Sequence, residues 1–388
     1  MKQKDVLLAA RPDQSLDIYK ALTAQNELSF HLVTFKVVRT WVKKIVAYKK
    51  LTTVGRNCTI LWWGTFKHLA IKKFHFGFAK NWNDWTILDP VAKRCLKRNN
   101  YRIIHYWPEN GGKPIVEYAK KHPECFVVAD IHMPLPRVVF EEMKAVYDKY
   151  GLDSSTLPLR RLVDEQMHFL DGVENALVPS SYVADTYRTL YPDKNYFVVP
   201  YGISISPFFK KQLKDEVKDF MYAGGNISLE KGCDLLLDYF LEHPELNIHL
   251  FGKINPSQAI VFEKYKGKDN IIFHGHLSRQ DLTKQISKYD VGIHMSRFDA
   301  YSLAVGEIIG SGKPVIVSEK TGNLDDIRKY GFGLVSKLDS DSLSHAIDQM
   351  LRPEVYNGFV DSIDKYVQEG HPNYGEEMIK FYKEHLEN

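Results

Sequence analysis

The second half of this chain has a rhythm that leaves few folds open to it. Six short apolar runs, at 219–223, 248–251, 271–273, 291–295, 315–317 and 333–335, alternate with helix-period patterns near 231–243, 257–266, 278–288, 302–311, 323–329 and 340–351. Strands that are apolar throughout need cover on both faces, and helices placed between parallel strands supply it. The pattern therefore predicts an α/β, doubly wound parallel sheet, in which ligands sit at the carboxyl ends of the strands. The first half repeats the theme less regularly. Runs at 6–10, 30–35, 103–107, 126–131, 176–179 and 197–200 read as strands, with helical patterns around 14–24, 113–122, 137–150 and 160–171. A chain of 388 residues is too long for one ordinary core, so two domains are expected, meeting in the Pro/Gly/Ser stretch 201–209 and its charged continuation 210–218.

Neither half carries Gly-x-Gly-x-x-Gly or a Walker-type Gly-Lys-Ser/Thr, so dinucleotide enzymes and ordinary NTPases lack support. The four cysteines, at 58, 95, 125 and 233, show no metal or disulfide spacing. The apolar run at 6–10 is too short for a signal peptide core, and no run of 18 apolar residues exists, which reads as a cytoplasmic chain. Net charge is only +4, yet residues 28–83 contain no Asp or Glu and 11 Lys or Arg, interleaved with Trp and Phe. Such a segment attracts anionic surfaces or phosphate.

Two stretches carry chemistry. At the first strand end of the second domain stands YAGGNISLEKG, 222–232. Gly224 and Gly225 let a ligand approach the backbone, and Lys231 lies near a helix start where a phosphate meets free amides. A glycine turn with a solvated lysine would look the same. At the fourth strand end comes RFDAYSLAVGEIIGSGKPVIV, 297–317, which places Asp299 eight residues before Glu307. Chance alone yields about six acidic pairs at that spacing. Order distinguishes this one: glycines and lysine at the first strand, an acid pair around a helix start at the fourth. Ser302 reads as the N-cap, with the Leu303 and Ala304 amides facing an anion, and Glu307 just over a turn deeper, suited to a ribose diol.

FMYAGGNISLEKGCDLLLDYF, the run from FHGHLSRQDL to GKPVIV, and the following TGNLDDI resemble the donor domain of family-4-type retaining glycosyltransferases of the GT-B fold. Support from the first half comes from FVVADIHMP, ENALVPSSYVADTY and VVPYGISISPFF. The resemblance implies two Rossmann-like domains facing across a cleft. The first, 1–203, would bind acceptor and carry a basic aromatic insertion at 36–100. The second, 204–370, would bind a nucleotide-diphosphate sugar, and a final helix at 371–388 would pack back on the first. It implies that Asp299, standing where the family has Glu, and His132 contact the transferred sugar, and that Glu307 binds the ribose. Gly225, Asn226, Lys231, Arg297, Tyr301, Ser302 and Leu303 would complete the donor site. Where the family has an arginine beside the glycine loop this chain has Asn226, with Arg297 or Arg11 the candidates to compensate. Arg11-Pro12-Asp13-Gln14 replaces the family's first glycine loop.

The function so implied is sugar transfer with retention of configuration and without cofactor or metal. The basic, aromatic segment points to an anionic membrane surface and a lipid-linked glycan acceptor, in cell-surface polysaccharide or glycolipid synthesis. Arg11, Arg39, Lys43, Lys44, Lys72 and Lys73 are its candidate contacts. Nucleic acid is not expected, because no recognition module accompanies the charge. Two other readings stay open: a non-catalytic partner subunit, and a sugar-nucleotide epimerase or hydrolase of the same fold. Asn57-Cys-Thr and Asn226-Ile-Ser fit the glycosylation sequon, and Asp339-Ser340-Asp341 has a metal-binding form but precedes a helix, so it reads as a cap.

Overall fold

The structure is a computed structural model describing residues 2–9, 12–25, 27–34, 37–39, 52–54, 58–60, 85–108, 112–157 and 170–387. Its strands are β1 (Lys2–Ala9), β2 (Phe30–Thr34), β3 (Val37–Arg39), β4 (Thr52–Val54), β5 (Cys58–Ile60), β6 (Asn99–Tyr106), β7 (Phe126–Asp130), β8 (Asn175–Val178) and β9 (Asn195–Val198), then β10 (Asp219–Ile227), β11 (Asn247–Ile254), β12 (Ile271–Gly275), β13 (Val291–His294), β14 (Val315–Ser318) and β15 (Gly333–Ser336). They form two main parallel sheets, ordered β5-β2-β1-β6-β7-β8-β9 and β12-β11-β10-β13-β14-β15, and β3 pairs with β4 apart from them. Both orders reverse beside the first strand of the domain, which opens a crevice at the carboxyl ends of the strands.

Alternation along the central strands shows why the runs are apolar throughout. Val6 and Leu8 of β1 enter one cluster and Leu7 and Ala9 another. In β10, Phe220 and Tyr222 face one side while Met221 and Ala223 face the other. Truncating such a side chain to Ala costs about 2–5 kcal/mol, so each strand is held from both faces.

All twelve expected strands are present. The pattern at 257–266 is not one helix: Pro256–Gln258 and Glu263–Tyr265 are 3-10 turns around a single α turn, Ala259–Phe262. Its apolar residues Val261, Phe262 and Tyr265 are buried all the same, so their spacing reported burial rather than a continuous helix. The helical pattern at 160–171 lies almost wholly outside the described residues. The sequence reading had no counterpart for β3 to β5, or for the helices Trp85–Arg98, Ser181–Arg188 and Pro353–Glu369.

Two helices tie the halves together. Pro136–Lys149, which follows β7, puts Val139, Met143 and Tyr147 into the large cluster of the second domain. The final helix, Tyr374–Glu387, puts Met378, Phe381 and Tyr382 among Val6, Leu8 and Ile18 of the first. Among the described residues no helix is long and apolar enough to cross a membrane.

Candidate functional site

Gly224 and Gly225 belong to the strand rather than to a loop, because β10 continues to Ile227. Its register against β11 shifts between Ala223 and Asn226, and the Tyr222 hydroxyl donates to the Asn226 carbonyl (2.7 Å) to hold the irregularity. A Cβ on Gly225 would meet nothing within 4 Å, so that face of the strand end is bare. Gly224 and Gly225 wall a slot of about 220 Å³ with Phe251, His276, Leu277, Leu282, Ala304, Arg279 and Glu307. Asn226, next after Gly225 in the strand, is exposed.

Beyond the strand, two loops are sewn together. Gly232 has φ 62, and a Cβ there would lie 1.7 Å from the Met295 carbonyl, so only glycine fits. The Arg297 amide donates to the Glu230 carbonyl (2.9 Å). The Arg297 guanidinium forks onto both oxygens of Asp234 (2.6 and 2.8 Å) and also reaches the Leu229 carbonyl. Burial opposes its charge, but the Asp234 bonds outweigh that and hold it above its usual range. Arg297 is therefore a brace between the loops and does not compensate for Asn226. With the loops fixed, Lys231 Nζ meets Asp299 Oδ2 at 2.7 Å. Burial first and the Lys231 charge second push the nearby His294 down to about 3, leaving it neutral.

The helix after Asp299 is Leu303–Ile309, with Ser302 as its N-cap. The Ser302 amide donates to Asn323 Oδ1 (2.8 Å), whose Nδ2 donates back to the Ser302 carbonyl (3.2 Å). The Tyr301 hydroxyl donates to buried Asp326 Oδ2 (2.6 Å). Ser302 and Tyr301 thus build the loop, and their polar groups are occupied before any ligand arrives. Leu303, 59% exposed, projects into the cleft. Glu307, with only 14% of its side chain exposed, forms an ion pair with Arg279 Nε.

The cleft, about 390 Å³, sets Arg279, Leu303, Gly306 and Glu307 opposite Asp17, Trp107, Asp130, His132, Tyr201 and Tyr374. His132 lines the cleft on the far wall from Glu307. Asp130 was not anticipated. Its Oδ2 is bonded to His105 Nε2 (3.0 Å), and His105 Nδ1 to the Tyr382 hydroxyl (2.6 Å). The only sequence signal for it is ADIHMP, where Asp130 precedes His132 by two. The walls are joined nearby: Ser180 Oγ donates to the Ala300 carbonyl (2.8 Å), the Ser181 amide and hydroxyl donate to Asp325 (2.8 and 2.7 Å), and Lys320 pairs with Glu142 (2.6 Å). Burial, then the Glu142 and Asp299 charges, raise the Tyr182 phenol above its usual range, and the Ser180–Ala300 bond sets the loop of Asp299 against the first domain.

Of the candidate acceptor and membrane contacts, Arg11, Lys43, Lys44, Lys72 and Lys73 lie outside the described residues. Arg39 is described only as backbone in β3. Asn57 is also outside them. Asp339 accepts from the Ser342 amide (2.7 Å) and caps the helix Ser340–Met350.

Residues 204–367 match the family described as glycosyl transferases group 1. The match lies within the second domain. The chain is 23% identical over 226 residues to an Escherichia coli K12 protein named as a colanic acid biosynthesis glycosyl transferase, WcaC, covering 54% of this chain and 51% of that one. It therefore spans about half the length of that relative. Among solved structures it is similar to sucrose-phosphate synthase from Thermosynechococcus elongatus (15% identity, TM-score 0.61, 99% of each chain). It is also similar to the lipopolysaccharide outer core galactosyltransferase WaaB (14% identity, TM-score 0.57, 94% of this chain and 95% of that one). Likeness at such identities speaks for the fold, which is GT-B: the second domain faces the parallel sheet of the first across the cleft.

Proposed function

We propose that this chain is a retaining glycosyltransferase, moving a hexosyl unit from a nucleotide-diphosphate sugar to a hydroxyl of a glycan acceptor. One observation carries the reading. A bare, partly apolar slot beside Gly224 and Gly225 opens past Glu307 into a cleft whose far wall holds Asp130 and His132. A base fits the slot, a ribose diol fits the Glu307 carboxylate, and the sugar then lies between the domains.

Cleavage of the sugar–phosphate bond needs charge stabilisation on the departing diphosphate and around an oxocarbenium-like centre. Lys231 serves the diphosphate. Asp299 and His132 orient the sugar, and the shorter Asp299 side chain, a methylene less than Glu, adapts the pocket to its substituents. Attack on the same face, with the departing phosphate taking the acceptor proton, retains configuration and needs no metal. Turnover in EDTA should match that in magnesium.

A thermal-shift panel of UDP, GDP, dTDP and their sugars tests the donor site, since a ligand at 100 times its Kd adds about 2.7 kcal/mol. No shift with any of them would favour a non-catalytic partner subunit. Sugar released without acceptor would favour hydrolysis.

The acceptor is a lipid-linked glycan, met at the inner face of a membrane. The basic, aromatic segment 36–83 and the adjoining helix Trp85–Arg98, with Lys93, Arg94, Lys97 and Arg98, support this. The names of the relatives, for colanic acid and lipopolysaccharide, point the same way. Flotation with anionic liposomes that weakens with salt is the expected result, and absence of flotation would refute it.

A further inference from the structure

Arg279 is the cation this site has and the sequence pattern did not assign. It opens the helix Arg279–Ile286, whose N-cap Ser278 accepts from the Asp281 amide (3.2 Å). Among the described residues, Arg279 and Glu307 alone line both the slot and the cleft. Any ligand that reaches from one to the other passes between them. Among the described residues lining these two spaces, Arg279 is also the one lysine or arginine, set against the carboxylates Asp17, Asp130 and Glu307. A doubly charged diphosphate placed there would otherwise meet net negative charge.

We propose that Arg279 is the second diphosphate-binding cation, working with Lys231, and that its ion pair with Glu307 is the contact an entering nucleoside diphosphate exchanges. This rests on the donor-site reading above. The Arg279 side chain is 71% exposed, so its pair with Glu307 is weak and readily exchanged. Nε meets Glu307, and a guanidinium carries further donors in a planar fork that suits phosphate oxygens, a geometry lysine lacks. Lys231 is likewise held by a carboxylate, Asp299, before ligand arrives. Both acids of the Asp299–Glu307 pair are thus neutralised in the free protein by cations that a diphosphate recruits. Glu307 is then released to the ribose and Asp299 to the sugar. The arginine that Asn226 does not supply at the glycine strand is supplied instead from the start of the helix after β12.

Titration calorimetry of UDP, GDP and dTDP, with the matching nucleosides measured by competition, tests this. Arg279→Ala should weaken the bound diphosphate by about tenfold or more and the nucleoside by less than about twofold. Arg279→Lys should fall between. Adding Asn226→Arg to Arg279→Ala should recover most of the loss, because residue 226 is exposed beside Gly225, where an added Cβ meets open space. Wild-type-like diphosphate binding by Arg279→Ala, or equal loss of nucleoside, would overturn the proposal. If the wild type bound none of the three diphosphates, the donor-site reading itself would fall and this assignment with it.

Discussion

The two walls of the cleft are built in opposite ways. The wall formed by the second domain comes from three short runs, around residues 224–231, 276–282 and 299–307, each at a strand end. The facing wall draws Asp17, Trp107, Asp130, His132, Tyr201 and Tyr374 from almost the whole length of the chain. Their charges are handled differently too. Asp299 and Glu307 are paired with long, partly exposed cations that can leave them, whereas Asp130 is tied to a buried histidine that cannot. One wall is arranged to exchange partners and the other to stay as it is. On the proposed reading, a departing nucleotide needs the first property and a positioned acceptor hydroxyl the second.

Substitutions on each wall should separate these roles. Glu307→Ala carries the largest effect, with donor-dependent turnover falling about 100-fold because two charge-assisted bonds to a diol are lost. Lys231→Ala should approach it, and near-normal turnover in both would dissolve the distinction between the walls. Asp130→Asn comes next: acceptor KM rises about tenfold while calorimetric affinity for the nucleoside diphosphate stays unchanged. Equal losses of donor and acceptor affinity would place Asp130 with the donor wall. Smaller still is Tyr382→Phe, which strips the partner from His105 Nδ1 in a buried site and should lower stability by about 1 kcal/mol in thermal denaturation. Its kcat should hold if Asp130 keeps His105 Nε2.

The smallest effect separates stability from chemistry. Lys313 is buried beneath the donor wall with Nζ on Gln212 (2.5 Å). Burial first, then Lys214, lower its pKa from 10.5 to about 8. Between those values the unfolded chain binds more protons than the folded one, so stability rises with pH across that window, and the penalty is fully present below it. Lys313→Met should flatten the rise and add stability at pH 7, read by urea unfolding at pH 7 and pH 10. An unchanged slope would show that another group titrates there.

The same contrast explains what the sequence could announce. Strand positions were legible because both faces of each sheet are covered, which writes burial directly as unbroken apolar runs. The insertion strands β3 to β5, three residues each, are too short to write any period. Asp299, Glu307 and Lys231 sit in local motifs, and spacing plus order exposes them. Arg297, Tyr301 and Ser302 lie in the same motifs but act as braces. Their partners Asp234, Asp326 and Asn323 are 63, 25 and 21 residues away, where no local pattern reaches. Arg279 escaped for the converse reason: an arginine opening a helix is ordinary until the slot and the cleft are seen to meet at its side chain.

The helix Tyr374–Glu387 sets an order on synthesis. The last strand of the first sheet ends at Val198, yet Met378 and Tyr382, which seal one face of that sheet, leave the ribosome some 180 residues later. At common translation rates that interval is roughly ten to forty seconds. Throughout it Val6, Leu8 and Ile18 lack the part of their cover that Met378 and Tyr382 supply, while the second domain is still being made. The amino-terminal half is therefore the one whose core is completed last.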